Sequence, residues 1–131
     1  MAVPILSGLS ELARSHDGLI VDVWGVLHDG GDAFPGAIDC LAKLRAAKKR
    51  VVLLSNAPRR AERVAAGLED KGIANALYER VISSGDAARA WLGNRLECGM
   101  GSAYYWLGPE WDMGLLDGLA YERVKTPSDA D

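Results

Sequence analysis

The stretch Gly18-Leu-Ile-Val-Asp-Val-Trp-Gly-Val-Leu-His-Asp-Gly30 decides the fold of this chain. Its run Leu19–Val21 is aliphatic, Asp22 follows directly, and the glycines at 25 and 30 interrupt the strand. An apolar run that ends near glycine is typical of a buried parallel strand. Open α/β sheets bind their ligands at the carboxyl ends of such strands. Asp22 is therefore the first candidate for a chemical role.

A second apolar run, Val51–Leu54, ends in Ser55 and Asn56. Between the two runs, the residues after Pro35-Gly36 have apolar positions every three or four residues, which indicates a helix. A strand, a helix and a strand in this order predict a right-handed βαβ unit with parallel strands. We therefore expect an α/β fold with a Rossmann-like parallel sheet in three layers, and Asp22, Ser55 and Asn56 at one edge of it.

The rest of the chain alternates in the same way. The patterns predict helices over 4–16, over 58–71 with Gly72 as the stop, and over 87–92 with Ser83–Asp86 as its N-terminal cap. A boundary is expected within 93–101, followed by a strand over 103–107, a helix over 109–119 and a strand over 121–124.

Composition excludes several classes of protein. The 131 residues suit one compact domain, and 49% hydrophobic and 25% charged residues are ordinary for a globular protein. A net charge of −3 gives no basic face for nucleic acid, and no apolar run approaches the roughly 20 residues of a membrane span. Residues 1–10 do not resemble a signal peptide. We therefore expect a cytoplasmic protein without a nucleic-acid or membrane partner.

Two motifs together carry a family resemblance. Val21-Asp22-Val23-Trp24-Gly25-Val26-Leu27 and Val51-Val52-Leu53-Leu54-Ser55-Asn56 resemble the first and second motifs of the haloacid dehalogenase superfamily of hydrolases. The stretches 27–30, 35–36 and 81–85 are similar to the subgroup of phosphatases with a large α/β cap. The resemblance implies that residues 1–97 form the N-terminal part of the core and that residues 98–131 begin the cap domain.

The resemblance also implies a mechanism. Asp22 would be the nucleophile, with one oxygen on Mg²⁺ and the carbonyl of Trp24 as a second metal ligand. Ser55, Asn56 and Gly25 would hold the phosphoryl oxygens. Two unit charges 4 Å apart repel by about 4 kcal/mol at an effective dielectric constant of 20. A cation such as Mg²⁺ offsets this repulsion between the carboxylate and an anionic substrate.

Trp24 departs from the family pattern, which has a second Asp at this position. That Asp protonates the leaving group and then activates water, and an indole, which only donates an N–H bond, can do neither. General acid–base catalysis is worth about 10²–10⁴-fold in rate. His28 is a candidate replacement, although a turn residue is the simpler interpretation. Dehalogenases of the superfamily have an aromatic residue here.

We therefore expect a Mg²⁺-dependent hydrolase that acts through Asp22 on a small phosphorylated metabolite. One alternative is a dehalogenase-like hydrolase, and the other is a catalytically silent anion-binding or regulatory module. The family's third motif supplies a Lys and its fourth an acidic metal pair, and neither is found in this sequence. The chain thus resembles the N-terminal half of a longer enzyme, and we expect it to be inactive alone and to form homo-oligomers through uncovered apolar surface.

Overall fold

A computed structural model describes residues 5–131. The helices are α1 (Leu9–Arg14), α2 (Ala37–Ala46), α3 (Ala61–Glu69) and α4 (Ser84–Glu97). The strands are β1 (Gly18–Asp22), β2 (Arg50–Ser55), β3 (Arg80–Ser83), β4 (Ala103–Tyr104) and β5 (Glu122–Arg123). The chain divides into two compact units: unit 1 runs through Ser55 and includes Ala65–Ile82, and unit 2 comprises Asn56–Val64 and Ser83–Asp131.

Unit 1 is built on a sheet with the strand order β1-β2-β3. β1 and β2 are parallel, in a register that runs from Gly18 opposite Arg50 to Asp22 opposite Leu54. Helix α2 connects the two strands and packs on β2. This arrangement confirms the predicted α/β class with a Rossmann-like parallel sheet.

One face of this sheet holds the core of unit 1. Leu53 of β2 and Leu68 and Ile73 of the α3 region are fully buried, with 0% exposure. Leu41 and Leu44 of α2 are buried as well, three residues apart on one side of the helix. Each fully buried side chain of this size contributes about 1.5–3 kcal/mol to stability. The helical period seen in the sequence therefore marks the face of α2 that meets the sheet.

The opposite face of the sheet is open. Ile20 is 76% exposed, Leu54 47% and Ile82 41%, and these residues alternate along their strands with more buried ones. The sequence predicts uncovered apolar surface but does not say which face of the sheet is open, because the strands carry aliphatic residues on both faces, as strands of a doubly covered parallel sheet do. Exposed aliphatic side chains of this kind take part in association.

Helices α1, α3 and α4 differ in extent from the predicted helices. Helix α1 covers only Leu9–Arg14 of the predicted 4–16, with none of its residues buried, and Pro4 lies outside the described residues. The predicted start of α3 at Pro58 is wrong, because the helix begins at Ala61, whose N–H donates to Asp86 Oδ2 at 2.9 Å. This tertiary cap fixes the start of the helix and cannot be seen in the local sequence.

Helix α4 is longer than the sequence predicts. It is capped at its start by Ser83, whose hydroxyl accepts from the Asp86 N–H, as predicted. It then continues through Gly93 to Glu97, so the predicted end of the helix at residue 92 is wrong. Arg95 lies over the ring of Trp91, one turn earlier, at 5.3 Å, which stabilises the turn that contains Gly93. The turn to the next strand begins at Gly99, which has a positive φ.

Unit 2 continues beyond α4 with short elements. Ala103 pairs with Glu122 and Tyr104 with Arg123 in a parallel two-stranded sheet. The predicted helix over 109–119 is a 3₁₀ helix, Glu110–Leu116. The assignment of residues 98–131 to the start of a cap domain stays a prediction. Within residues 5–131, the structure contains no helix with the length and apolar character needed to cross a membrane.

The open face of the sheet predicts self-association of this chain. Burial of Ile20 in a contact between two copies contributes about 1.5–3 kcal/mol, so Ile20→Lys should raise the dissociation constant by about tenfold or more. Leu107→Lys is the matched control, because Leu107 is 90% exposed but does not belong to the sheet. Sedimentation velocity over a concentration series measures both. Equal effects of the two substitutions on the dissociation constant would contradict self-association through this face of the sheet.

Candidate active site

The parallel register places Asp22 beside the end of β2. Asp22 is the last residue of β1 and is exposed, and its register partner is Leu54. Ser55, the next residue and the end of β2, is buried with 5% exposure. A carboxylate and a hydroxyl therefore lie at the same edge of the sheet, as the sequence predicts. The two residues belong to the same unit.

A tight turn follows Asp22 and fixes its carboxylate. The N–H of Val23 donates to Asp22 Oδ1 at 2.7 Å, and the buried Val23 carbonyl accepts from the N–H of Leu27 at 2.9 Å. Gly25 has a φ of 78°, a conformation that glycine adopts without strain. The N–H of Gly25 donates to the His28 carbonyl at 2.7 Å, so this amide is already bonded within the turn. The role of Gly25 in phosphate binding stays a prediction.

Trp24 projects from this turn and is 60% exposed. Its indole meets the His28 ring edge to face, with centroids 5.6 Å apart and an angle of 78° between the planes. A Cβ atom built on Gly30 would lie 3.0 Å from Trp24 Cη2, so a side chain at position 30 would press on the indole. The flap, defined as residues 27–34, is closed by a bond from the Phe34 N–H to the Leu27 carbonyl at 2.8 Å. The flap thus supports one side of the indole.

Lys71 is a contact of the flap that the sequence analysis missed. It lies after α3, and its Nζ donates to the Gly30 carbonyl at 3.0 Å. In the sequence Lys71 is an ordinary basic residue near the end of a helix, just before Gly72, and such residues usually stabilise the helix dipole. The contact spans about 40 residues of chain, so no local pattern could have indicated it.

His28 is held as a neutral imidazole. Its Nδ1 lies 2.9 Å from the N–H of Gly30 and accepts that bond, which requires an unprotonated Nδ1 and leaves the ring proton on Nε2. Burial lowers the pKa of His28 from its ordinary value, and the charge of Lys71 lowers it further, against a smaller opposing effect of Asp29. At neutral pH the ring is therefore uncharged, with Nδ1 occupied by the Gly30 N–H and a proton to donate on Nε2.

The residues at this edge offer some, but not all, of the ligands that a divalent cation needs. Asp22 offers a carboxylate oxygen, and no hydrogen bond to the Trp24 carbonyl oxygen is found within residues 5–131. Oxygen ligands of this kind are those that Mg²⁺ prefers, and Mg²⁺ keeps several waters when the protein supplies only one or two ligands. The same residues contain no cluster of three or more His, Cys, Asp or Glu side chains that could hold a metal by themselves.

Four of the five predicted site residues belong to unit 1: Asp22, Trp24, Gly25 and Ser55. Asn56 follows Ser55 in the chain, is exposed, and is the first residue of unit 2. The roles of all five in binding or catalysis stay predictions. Arg59 lies in unit 2, where its Nε pairs with the buried Asp112 Oδ1 at 3.0 Å.

Comparison with known proteins identifies the class. The model of a family described as haloacid dehalogenase-like hydrolase matches residues 19–121, and the chain belongs to this family. The structure is similar to a haloacid dehalogenase-like hydrolase from Brucella suis, with a TM-score of 0.83 and 30% sequence identity, over 96% of this chain and 44% of that one. No protein with curated annotation is matched.

Two further structures extend the likeness. A glycerol phosphate phosphatase from Mycobacterium tuberculosis, solved in complex with calcium, has a TM-score of 0.58 and 26% identity, over 86% of this chain and 32% of that one. A possible sugar phosphatase from Cytophaga hutchinsonii shares the fold at 18% identity, with a TM-score of 0.77 over 91% of this chain and 41% of that one. The chain thus spans less than half the length of these solved relatives.

The position of Lys71 predicts the titration of His28. Lys71→Met should raise the pKa of His28 toward its ordinary value, because the substitution removes a nearby positive charge. Nuclear magnetic resonance titration of the two histidines measures this, with His16 as the internal control. Lys71→Arg keeps the charge and should preserve the lowered pKa. An unchanged pKa of His28 in Lys71→Met would contradict the effect of the Lys71 charge on this ring.

The same shift fixes the sign of a pH effect on stability. Because the folded-state pKa of His28 is lowered, the unfolded chain binds a proton more readily. The contribution of His28 to stability is thus fully present above its ordinary pKa of 6.5 and is lost as the pH falls through the folded-state value. His28→Gln should remove this component from the pH dependence of urea unfolding.

Proposed function

We propose that this chain carries the nucleophile of a Mg²⁺-dependent phosphohydrolase that acts on a small phosphorylated metabolite through Asp22. The observation that carries the proposal is the exposed carboxylate at the end of β1, oriented by the Val23 N–H, beside the end of β2. The names of two structural neighbours, a glycerol phosphate phosphatase and a possible sugar phosphatase, support a phosphorylated substrate. The proposal includes a cytoplasmic location.

The chemistry assigned to the residues has two steps. The free oxygen of Asp22 attacks phosphorus, the bond from phosphorus to the leaving oxygen breaks, and an acyl phosphate forms on Asp22. Water then attacks the phosphorus, releases inorganic phosphate and restores the carboxylate. Ser55 and Asn56, with the Gly25 turn, hold the phosphoryl oxygens. Asp22 and the Trp24 carbonyl would hold Mg²⁺, which would supply the positive charge that reduces the repulsion between carboxylate and substrate.

Trp24 limits which substrates react quickly. An indole cannot protonate an alkoxide leaving group, so the first step is efficient only where the leaving group departs as a stable anion. Aryl and acyl phosphates meet this condition, and alkyl phosphates do not. In the second step, water loses a proton to solvent, because the acceptor nitrogen of His28 in the same turn, Nδ1, already accepts the Gly30 N–H.

A dehalogenase-like reaction is the second candidate, because a halide also leaves without a proton and Trp24 fits that requirement equally well. The two candidates differ at Ser55 and Asn56, which a phosphoryl group would occupy. Binding of inorganic phosphate or beryllium fluoride at this edge favours the phosphatase. Release of halide from a 2-haloacid, with no response to these anions, favours the dehalogenase.

The nucleophile is tested by Asp22→Asn, which keeps the size of the side chain and removes its charge. In any form of the protein that turns over an aryl phosphate, this chain or a longer one that contains it, the rate should fall by at least about 10³-fold with the fold unchanged. Asp32→Asn is the control, because Asp32 is exposed in the flap and forms no ion pair or hydrogen bond within residues 5–131. Near-native turnover in Asp22→Asn would exclude covalent catalysis by this residue.

A test that does not need turnover uses beryllium fluoride. With Mg²⁺ it should form an acyl-phosphate mimic on Asp22, seen as a bound fluorine signal by nuclear magnetic resonance. The signal should be absent in Asp22→Asn and present in Asp32→Asn. A signal that survives in Asp22→Asn would place the anion elsewhere.

The effect of Trp24 on the leaving group is tested with matched substrates. Aryl phosphates should react faster than alkyl phosphates, by up to the 10²–10⁴-fold that acid–base catalysis provides. Trp24→Asp should raise the alkyl rate and narrow this difference, provided that circular dichroism shows an intact fold. Equally high native rates on both substrates would show that another group, such as His28, protonates the leaving oxygen.

A further inference from the structure

The exposed indole of Trp24 is an unusual surface beside a nucleophile. Asp22 and Trp24 are exposed and Val23 between them is buried. The chain bends at Val23, and this one residue separates Asp22 from Trp24, so their Cα atoms lie at most about 7.6 Å apart. An exposed aromatic surface therefore lies close to the nucleophile, in the region where a leaving group would be.

The indole is fixed in place before any ligand binds. His28 contacts it edge to face at 5.6 Å, and Gly30 approaches Cη2 so closely that a side chain at this position would clash. Lys71 in turn holds the Gly30 carbonyl at 3.0 Å. With 60% of the residue still exposed, the ring is supported on one side and open on the other. A preorganised ring binds a ligand without the entropy cost of ordering a mobile side chain.

We propose that Trp24 is a specificity-determining residue whose open surface stacks on a planar, aromatic leaving group of the substrate. The inference rests on the proposed function, because it takes the leaving group to lie beside Asp22. It adds a second, independent reason for the same substrate class. The absence of a general acid at position 24 requires a leaving group that is stable as an anion, and the exposed indole favours a leaving group that is planar. Both conditions are met by phosphate esters of aromatic hydroxyl compounds.

The test separates planarity from apolar character by a pair of stable phosphonates. Benzylphosphonate and cyclohexylmethylphosphonate have the same number of carbon atoms and the same anionic group, but only the first has a planar ring. With Mg²⁺ present, benzylphosphonate should bind about two- to tenfold more tightly, the range typical of a favourable aromatic pair. The four indole N–H signals of the chain report binding directly, and Trp24→Phe assigns the signal of Trp24.

Variants make the test specific to Trp24. Trp24→Leu should abolish the preference for benzylphosphonate, and Trp24→Tyr, which keeps a planar ring, should retain most of it. Trp111→Leu is the matched control, because Trp111 is 76% exposed and lies in unit 2; it should leave the preference unchanged. In a form with turnover, Trp24→Leu should raise the KM for an aryl phosphate more than the KM for acetyl phosphate, which has no ring.

Three results would overturn the inference: no shift of the Trp24 signal with benzylphosphonate up to its solubility limit, equal or tighter binding of cyclohexylmethylphosphonate, or a preference that survives in Trp24→Leu. These three results do not depend on the outcome of the Asp22→Asn test. The proposed function fails if Asp22→Asn keeps near-native turnover, whatever the phosphonates show.

Discussion

Parallel pairing of β1 with β2 is the constraint on which the site depends. The register sets Asp22 opposite Leu54 and so places the buried Ser55 one residue beyond the partner of Asp22. A shift of the register by one residue would turn the side chains of β2 to the opposite face. It would bury Leu54 and expose Leu53, which is now fully buried. The same packing that stabilises the core of unit 1 therefore fixes the distance between the two strand ends.

The turn after β1 orients the side chains of the candidate site. The buried Val23 accepts a bond from Leu27 through its carbonyl, and its own N–H orients Asp22. The turn also brings the His28 imidazole into contact with the Trp24 indole, and Trp24 stands where the family pattern has an Asp. The chemistry of this turn thus differs from that of a phosphatase with two aspartates, although the backbone still offers the Trp24 carbonyl.

Local charge acts on this turn from a distant part of the chain. Lys71 stabilises the flap by one hydrogen bond and lowers the pKa of His28 by its charge. An exposed contact of this kind contributes little to global stability. Its effect falls instead on the orientation of the Gly30 carbonyl and on the protonation state of one ring. The Trp24 indole, which rests against Gly30, depends on the same contact.

The sequence by itself determined the α/β class, the parallel βαβ unit, the family and the presence of Asp22 and Ser55 at strand ends. The fold class, the βαβ unit and the strand ends follow from local periodicity and from the order of strand, helix and strand, which leaves few alternative topologies. The family follows from the resemblance of the two motifs that contain Asp22 and Ser55. The extents of α3 and α4 were predicted less well, because the Asp86 carboxylate sets the start of α3 from a remote position and α4 tolerates Gly93.

Only the tertiary structure decided that one face of the sheet is open, that Lys71 contacts the flap and that the indole of Trp24 is exposed and supported. Both faces of the strands carry aliphatic residues, so their exposure depends on which segments pack against them. Contacts between residues about 40 positions apart arise from chain packing and leave no periodic pattern in the sequence. Burial and long-range charge are properties of the folded arrangement, and they decide the chemistry of residues whose identity the sequence already gives.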